Sequence, residues 1–152
     1  MQELTEPMCI QYRCVECEGD VHDLVCESCG TMYELVEGVP RFLSRENQNS
    51  ITFKRYRSSY SRIAKDNLDK ELMPPFYKSA QSDKIVGYAG EKLTGKVLDV
   101  GSAQGYFLNR VPHDDKLGLD ISPEYLGLLQ ENGINGVLAN AENMPFRDTF
   151  DL

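Results

Sequence analysis

Two sets of residues in this chain have the types and spacing to do chemistry. The first is the run Lys96-Val97-Leu98-Asp99-Val100-Gly101-Ser102-Ala103-Gln104-Gly105-Tyr106. An apolar strand runs into a tight glycine turn and the turn opens a helix, an arrangement that aims backbone N–H groups and a helix N-terminus at a ligand. Asp120 follows about 20 residues on, ending a second apolar run, Leu117-Gly118-Leu119, where a carboxylate can accept from a ribose hydroxyl pair. The second set is made of thiols. Cys14-x-x-Cys17 and Cys26-x-x-Cys29 are separated by eight residues. Each pair forms a knuckle that offers two thiolates to one metal ion, and two knuckles close a tetrahedral site. Four protein ligands leave no open coordination position, so the metal, read as Zn2+, is structural. An iron–sulfur cluster also uses four cysteines, but paired knuckles favour zinc. Two disulfides are the other alternative; the acidic start Met1-Gln2-Glu3 lacks a signal-peptide n-region and weighs against them. Cys9 is left over as a free thiol, and His22 reads as a solvated turn residue rather than a fifth ligand.

The elements that must position these residues follow from the local pattern. Lys96 to Val100 reads as a strand, and Gln104 to Arg110 as a helix. Lys116 to Asp120 reads as the next strand. Ser122 caps a helix with Pro123 at its first position and Glu124 in its first turn, and Gly133 ends it. On that helix Tyr125, Leu128 and Leu129 are expected to face the sheet. Gly136 to Ala139 is a third strand. This β/α alternation implies a parallel sheet covered by helices. Upstream, Ser82 to Leu93 reads as a helix and Pro74-Pro75 as a break before it. Phe53, Tyr56 and Tyr60 recur at i, i+3 and i+7, the spacing of a helix that packs these rings on the domain and leaves its arginines in water. The mixture of aromatic and basic side chains over Phe53 to Arg62 also has the composition of an RNA-stacking segment, the alternative to packing.

Two ligands can use the glycine turn. In a dinucleotide fingerprint G-x-G-x-x-G counted from Gly101, the third glycine falls on Tyr106, too large for close helix–strand approach. Asp99 would also sit badly beside a pyrophosphate, so a nicotinamide-dependent oxidoreductase is disfavoured. An acid at that position suits a ligand with an amine and a sulfonium. The segment resembles motif I of the class I S-adenosylmethionine-dependent methyltransferases, D-x-G-x-G-x-G: Asp99, Gly101 and Gly105 match, and Ala103 replaces the middle glycine, a change that is tolerable at negative φ. Leu117 to Ser122 resembles the second strand of that family with its ribose-binding acid, Leu138 to Phe146 the loop that frames the adenine, and Phe150-Asp151-Leu152 the start of the fourth strand. The resemblance covers roughly residues 82 to 152. It implies S-adenosylmethionine as cofactor, with Gly101 and Gly105 along the methionine moiety, Asp99 at its amine, Asp120 at the ribose, Asn140 with Ala141 at the adenine, and Ala103 and Ile121 also among the cofactor-binding residues. Asn140 stands where the family often has Asp, and an amide oxygen can still accept from the adenine amino group. The acceptor-shaping residues of the family follow strand four, and no catalytic residue is named.

Residues 8 to 43, with their cysteine pairs, Tyr33 and Gly38-Val39-Pro40, resemble the small zinc-ribbon family that includes the activating subunit of tRNA and protein methyltransferases. Some methyltransferases carry such a ribbon fused to the N-terminus. The expected organisation is therefore a zinc ribbon over 1–43, a linker and helical segment over 44–81, and the N-terminal half of a methyltransferase domain over 82–152. The expected fold class is α/β, a Rossmann-like doubly wound parallel sheet represented by about its first three strands. Strand one would then be an open apolar edge, which predicts a longer chain or a partner protein that completes the sheet. The net charge of −8 and pI near 4.8 argue against nonspecific nucleic-acid binding over the whole surface. No apolar run approaches a membrane span, and the cytoplasm is the expected compartment. The functional expectation is a methyltransferase acting on RNA or a small metabolite. The alternative is a noncatalytic adaptor whose ribbon docks a partner methyltransferase.

Overall fold

The computed structural model describes residues 10–70, 75–147 and 150–152; Cys9 and Pro74 lie outside them. The described residues build two sheets. The smaller is antiparallel, β1 (Tyr12–Arg13), β2 (Asp20–His22) and β3 (Val25–Cys26). His22 is an exposed strand residue, with its Nε2 3.9 Å from Glu27. The larger sheet is mixed and has five strands. β4 (Glu34–Val36) and β5 (Val39–Phe42) form an antiparallel hairpin, followed by α1 (Arg45–Asn49), α2 (Ile51–Lys70) and α3 (Pro75–Ala89). Then come β6 (Val97–Val100), β7 (Lys116–Asp120), α4 (Pro123–Glu131) and β8 (Asn135–Ala139). The spatial order is β4-β5-β8-β7-β6, with all pairings beyond the hairpin parallel. The protein is thus α/β, and among the described residues no helix is long and apolar enough to cross a membrane.

The hairpin departs from the expected layout. The sequence pattern places residues 34–42 in the ribbon, but β5 pairs with β8, Arg41 opposite Leu138 and Phe42 opposite Ala139. The reason is partly local and partly remote. Glu37 and Gly38 both have positive φ (50° and 80°), the signature of a two-residue type I′ turn that matches strand twist. The turn sets β5 against the otherwise bare edge of β8, with Val39 buried on one face of the sheet and Phe42 on the other. One hydrophobic core consequently runs through both sheets. Cys14, Val21, Cys26 and Tyr33 pack in one cluster with Phe42, Leu119, Val137 and Ala139. Phe42 is at its centre, stacked on Tyr12 at 4.7 Å and tilted against Tyr33 at 4.4 Å between ring centroids.

Helix α4 begins as its sequence dictates. The Ser122 hydroxyl accepts from the Tyr125 N–H, Pro123 follows, and Gly133 (φ 73°) closes the far end. Its buried face differs by one position from expectation: Tyr125, Leu126 and Leu129 are buried and Leu128 is half-buried. Leu129 settles the rotation of the helix because it enters a socket made of glycines. A β-carbon on Gly105 would lie 2.3 Å from its Cδ1, and one on Gly118 or Gly136 would lie 2.4 Å or 3.2 Å from its Cδ2.

The expected helix over Gln104 to Arg110 does not form. Gly101, Ala103 and Gly105 all have positive φ (79°, 47° and 77°), which interrupts right-handed helix, and only a short 3-10 turn over Leu108–Arg110 follows. Ala103 therefore departs from the negative φ expected of it. A left-handed alanine costs roughly 1–2 kcal/mol, and the neighbouring hydrogen bonds hold it there. Strand β6 is the edge of the large sheet. Leu98 N–H donates to Leu152 O at 2.8 Å and Asp151 N–H to Lys96 O at 2.8 Å, so the last residues lie along that edge.

Candidate metal centre and ligand cavity

The four cysteines meet. Cys14 follows β1, Cys26 ends β3, and Cys17 and Cys29 close the two knuckles. Their sulfurs all lie within 4.8 Å of one another, with Cys14 to Cys29 at 3.7 Å and Cys17 to Cys26 at 3.5 Å. Tetrahedral coordination at about 2.3 Å per Zn–S bond requires sulfurs about 3.8 Å apart. The cage fits that ion, and the thiols are not joined as disulfides, whose sulfurs would stand about 2.05 Å apart. The two knuckles are built alike. Glu18 N–H donates to Cys14 O and Gly30 N–H to Cys26 O, each at 2.9 Å, and the residue that closes each turn has positive φ. Gly19 is needed for the approach of the knuckles, since a β-carbon there would lie 3.2 Å from Cys26 Sγ and 2.4 Å from Ser28 Oγ. The thiols differ in their readiness to ionise. The Thr31 hydroxyl and N–H lower Cys29 to about 6. At Cys17 the Gly19 N–H lowers the pKa, but Cys29 and Cys26 outweigh it and push the group up to about 12. A divalent cation removes this competition by taking all four thiolates. Buried Cys14 has a further partner, the Tyr33 hydroxyl at 3.0 Å, which also accepts the Val15 N–H at 3.0 Å.

The metal centre is braced against the large sheet. Arg13 N–H donates to Pro145 O at 3.0 Å and Arg13 Nε to Phe146 O at 3.1 Å. Asn143 Nδ2 donates to Val15 O at 2.8 Å, and Arg147 Nη2 to Glu18 O at 2.7 Å. The first knuckle therefore rests on the loop that follows β8, the loop that carries Asn140 and Ala141.

A cavity of about 380 Å³ opens where the loops after β6, β7 and β8 converge. Gly101, Ala103, Asp120, Ile121, Asn140 and Ala141 all line it, although they come from three separate segments of the chain. Tyr56, Tyr60 and Ile63 of α2 roof it, the two tyrosine rings 4.7 Å apart. The Phe53, Tyr56, Tyr60 spacing predicted packing of all three rings. Phe53 does pack on the core, whereas Tyr56 and Tyr60 stay exposed above the cavity. A second cavity of about 340 Å³ shares Gly101, Ala103 and Tyr125 with the first and adds Asp99, Gln81 and Tyr106. Gly105 lines neither: its missing β-carbon accommodates Leu129. Gln81, Tyr106 and Tyr125 were not singled out as ligand contacts in the sequence. Tyr125 had a signal, its place in the first turn after the Asp120 loop; Gln81 had none.

Asp120 is the pivot of the site. Its Oδ2 accepts from Ala103 N–H at 3.0 Å and its Oδ1 from Ser122 N–H at 2.9 Å, so one carboxylate ties the glycine turn to the start of α4. Burial raises its pKa, and the N–H groups of Ser122, Ala103 and Ile121 oppose the shift. Asp99, on the neighbouring strand, is raised to about 6, first by burial and then by the charge of Asp120. Two desolvated carboxylates, one in each of these adjoining cavities, favour a ligand that brings positive charge or several hydroxyl donors. Asn140 caps a 3-10 turn, its Oδ1 accepting from Glu142 N–H at 3.1 Å.

No family model matches the chain. A protein of Methanocaldococcus jannaschii, described as uncharacterized protein MJ1123, is 35% identical to it over 54 residues, 36% of this chain. The match spans 25% of that protein's length.

Proposed function

We propose that this chain is the cofactor-binding part of an S-adenosylmethionine-dependent methyltransferase whose structural zinc ribbon is fused to a Rossmann-like sheet. The observation that carries the reading is the convergence of Gly101, Ala103, Asp120, Ile121, Asn140 and Ala141 on one cavity beside Asp99. The order β8-β7-β6, with α4 joining β7 to β8, supports it, because loops at the ends of parallel strands form ligand crevices in open α/β sheets. Asp120 keeps lone pairs beyond those used by Ala103 and Ser122 and would take the ribose hydroxyls. Asp99 would face the amine, Asn140 with Ala141 the adenine, and the backbone carbonyls of Gly101 and Ala103 the methionine chain, since their N–H groups are bonded to Leu119 O and Asp120 Oδ2. When bound, the cofactor supplies a methyl group on a sulfonium, and the protein's part is alignment of an acceptor. RNA and small metabolites are the acceptor classes in view, and the roofing tyrosines offer flat surfaces to either.

The test is calorimetric titration of the zinc-loaded chain with S-adenosylmethionine and, separately, with NAD. Saturable binding of the first alone is the expected result. Binding of NAD alone would overturn the reading in favour of an oxidoreductase. Binding of neither would turn it toward the noncatalytic adaptor.

A further inference from the structure

A third cavity, of about 130 Å³, lies away from the first two, between the β4–β5 hairpin, α2 and α4. Its walls are of two kinds. Val39 and Leu138 are buried and apolar, and Gly127 leaves one side of α4 open. The polar groups are two guanidinium ions, Arg41 and Arg57, with the Gln130 amide and Glu37. Among the described residues Arg57 has no hydrogen-bond or ion-pair partner. The acid whose charge reaches it, Glu124, favours the charged guanidinium but is itself engaged by Lys65 at 3.4 Å and by the Ser122 hydroxyl at 2.9 Å. Arg41 contacts Glu34 at 3.3 Å through Nη1, which leaves the rest of its fork uncommitted. Burial, and then the like charge of Arg41, hold the Arg57 pKa below the usual guanidinium range. Glu34, Glu37 and Glu124 offset these two like charges only in part, and an anion between the guanidinium groups would be favourable.

We propose that this cavity binds a short aliphatic monocarboxylate, its carboxylate between Arg41 and Arg57 and its hydrocarbon chain against Val39 and Leu138. A carboxylate matches the planar guanidinium fork, and the Gln130 amide supplies a further donor beside it. The charge also matches: two arginines and Glu37 leave one net positive charge among the lining residues. Size sets the chain length. Cavities near 150 Å³ hold about six non-hydrogen atoms, as benzene does, which corresponds to butanoate.

The zinc-loaded chain is titrated with butanoate, with butanamide and with inorganic phosphate, following backbone amide shifts by NMR. Butanoate should give saturable shifts at Val39, Arg41, Gly127 and Leu138, with butanamide and phosphate each at least tenfold weaker. Arg57→Gln should weaken butanoate tenfold or more. Gly127→Leu serves as a second variant. A β-carbon at Gly127 meets open space and leucine favours helix, so the fold is kept while the cavity is filled and binding is lost. Equal binding of butanamide, equal binding of phosphate, unchanged affinity in Arg57→Gln, or no saturable shift at these amides would each overturn the proposal. None of these results bears on S-adenosylmethionine binding at the other site.

Discussion

Replacing Gly118 by alanine tests whether Leu129 and the glycine turn are locked together. The added methyl would lie 2.4 Å from Leu129 Cδ2, 2.6 Å from Ser102 Oγ and 3.0 Å from Ser102 Cβ. Ordinary carbon contacts begin near 3.5 Å, so something must move by about 1 Å. A leucine tip normally yields easily, but this one is fully buried and its other methyl already fills the space left by Gly105. Ser102 is held through its N–H to Leu119 O at 3.1 Å. Overpacking of this kind costs about 1–3 kcal/mol. Leu129→Ala alone should cost about 2–5 kcal/mol through the cavity it leaves. In the double variant the alanine methyl at 118 enters that cavity, so the combined loss should fall short of the sum by at least about 1 kcal/mol. Urea unfolding of the four zinc-loaded proteins measures the cycle. Strict additivity, or a Gly118→Ala protein as stable as the parent, would falsify the socket.

The remaining expectations concern the two sites. Cys26→Ser should abolish stoichiometric zinc while the large sheet keeps its parallel strands; one bound zinc per chain by elemental analysis would refute the four-thiol cage. Chelation of zinc should speed amide exchange at 140–147, which rests on the first knuckle, and unchanged exchange there would show that the loop stands alone. For Asp99 the folded pKa of about 6 exceeds the ordinary 3.8, so its ionised form destabilises the fold above pH 6 and the penalty fades as pH falls toward 4. Two units correspond to at most about 3 kcal/mol, and Asp99→Asn should flatten that part of the stability–pH curve; identical curves would refute the assignment. Asp120→Ala should weaken S-adenosylmethionine binding by about 1–3 kcal/mol, and unchanged affinity would remove Asp120 from the ribose.

Much of the structure was legible because the signals are local. The cysteine spacing, the Ser122-Pro123-Glu124 cap and the alternation of apolar runs with a capped helix each act within a few residues. The helix expected after Gly101 is blocked by a backbone conformation imposed from outside the segment: Asp120 holds Ala103 N–H in a turn that alanine alone would not adopt. The membership of β4 and β5 in the large sheet had no local signature at all. Val39 and Phe42 look the same whether they bury against a ribbon or against β8, and the partner strand lies nearly a hundred residues away. Tyr56 and Tyr60 lie on a helix as their spacing implies, but periodicity cannot tell a ring that caps a cavity from one that fills a core.

The pairing of β5 with β8 also governs the order in which the molecule can be made. On a ribosome Arg41 emerges long before Leu138, its partner in the ladder. The ribbon and the hairpin can fold early, but Phe42 has no strand to cover until β8 has left the exit tunnel. Contacts of such long sequence separation slow folding and leave an apolar strand edge open in the interval. The nascent hairpin is therefore an apolar strand edge left open for as long as residues 43 to 139 take to be made.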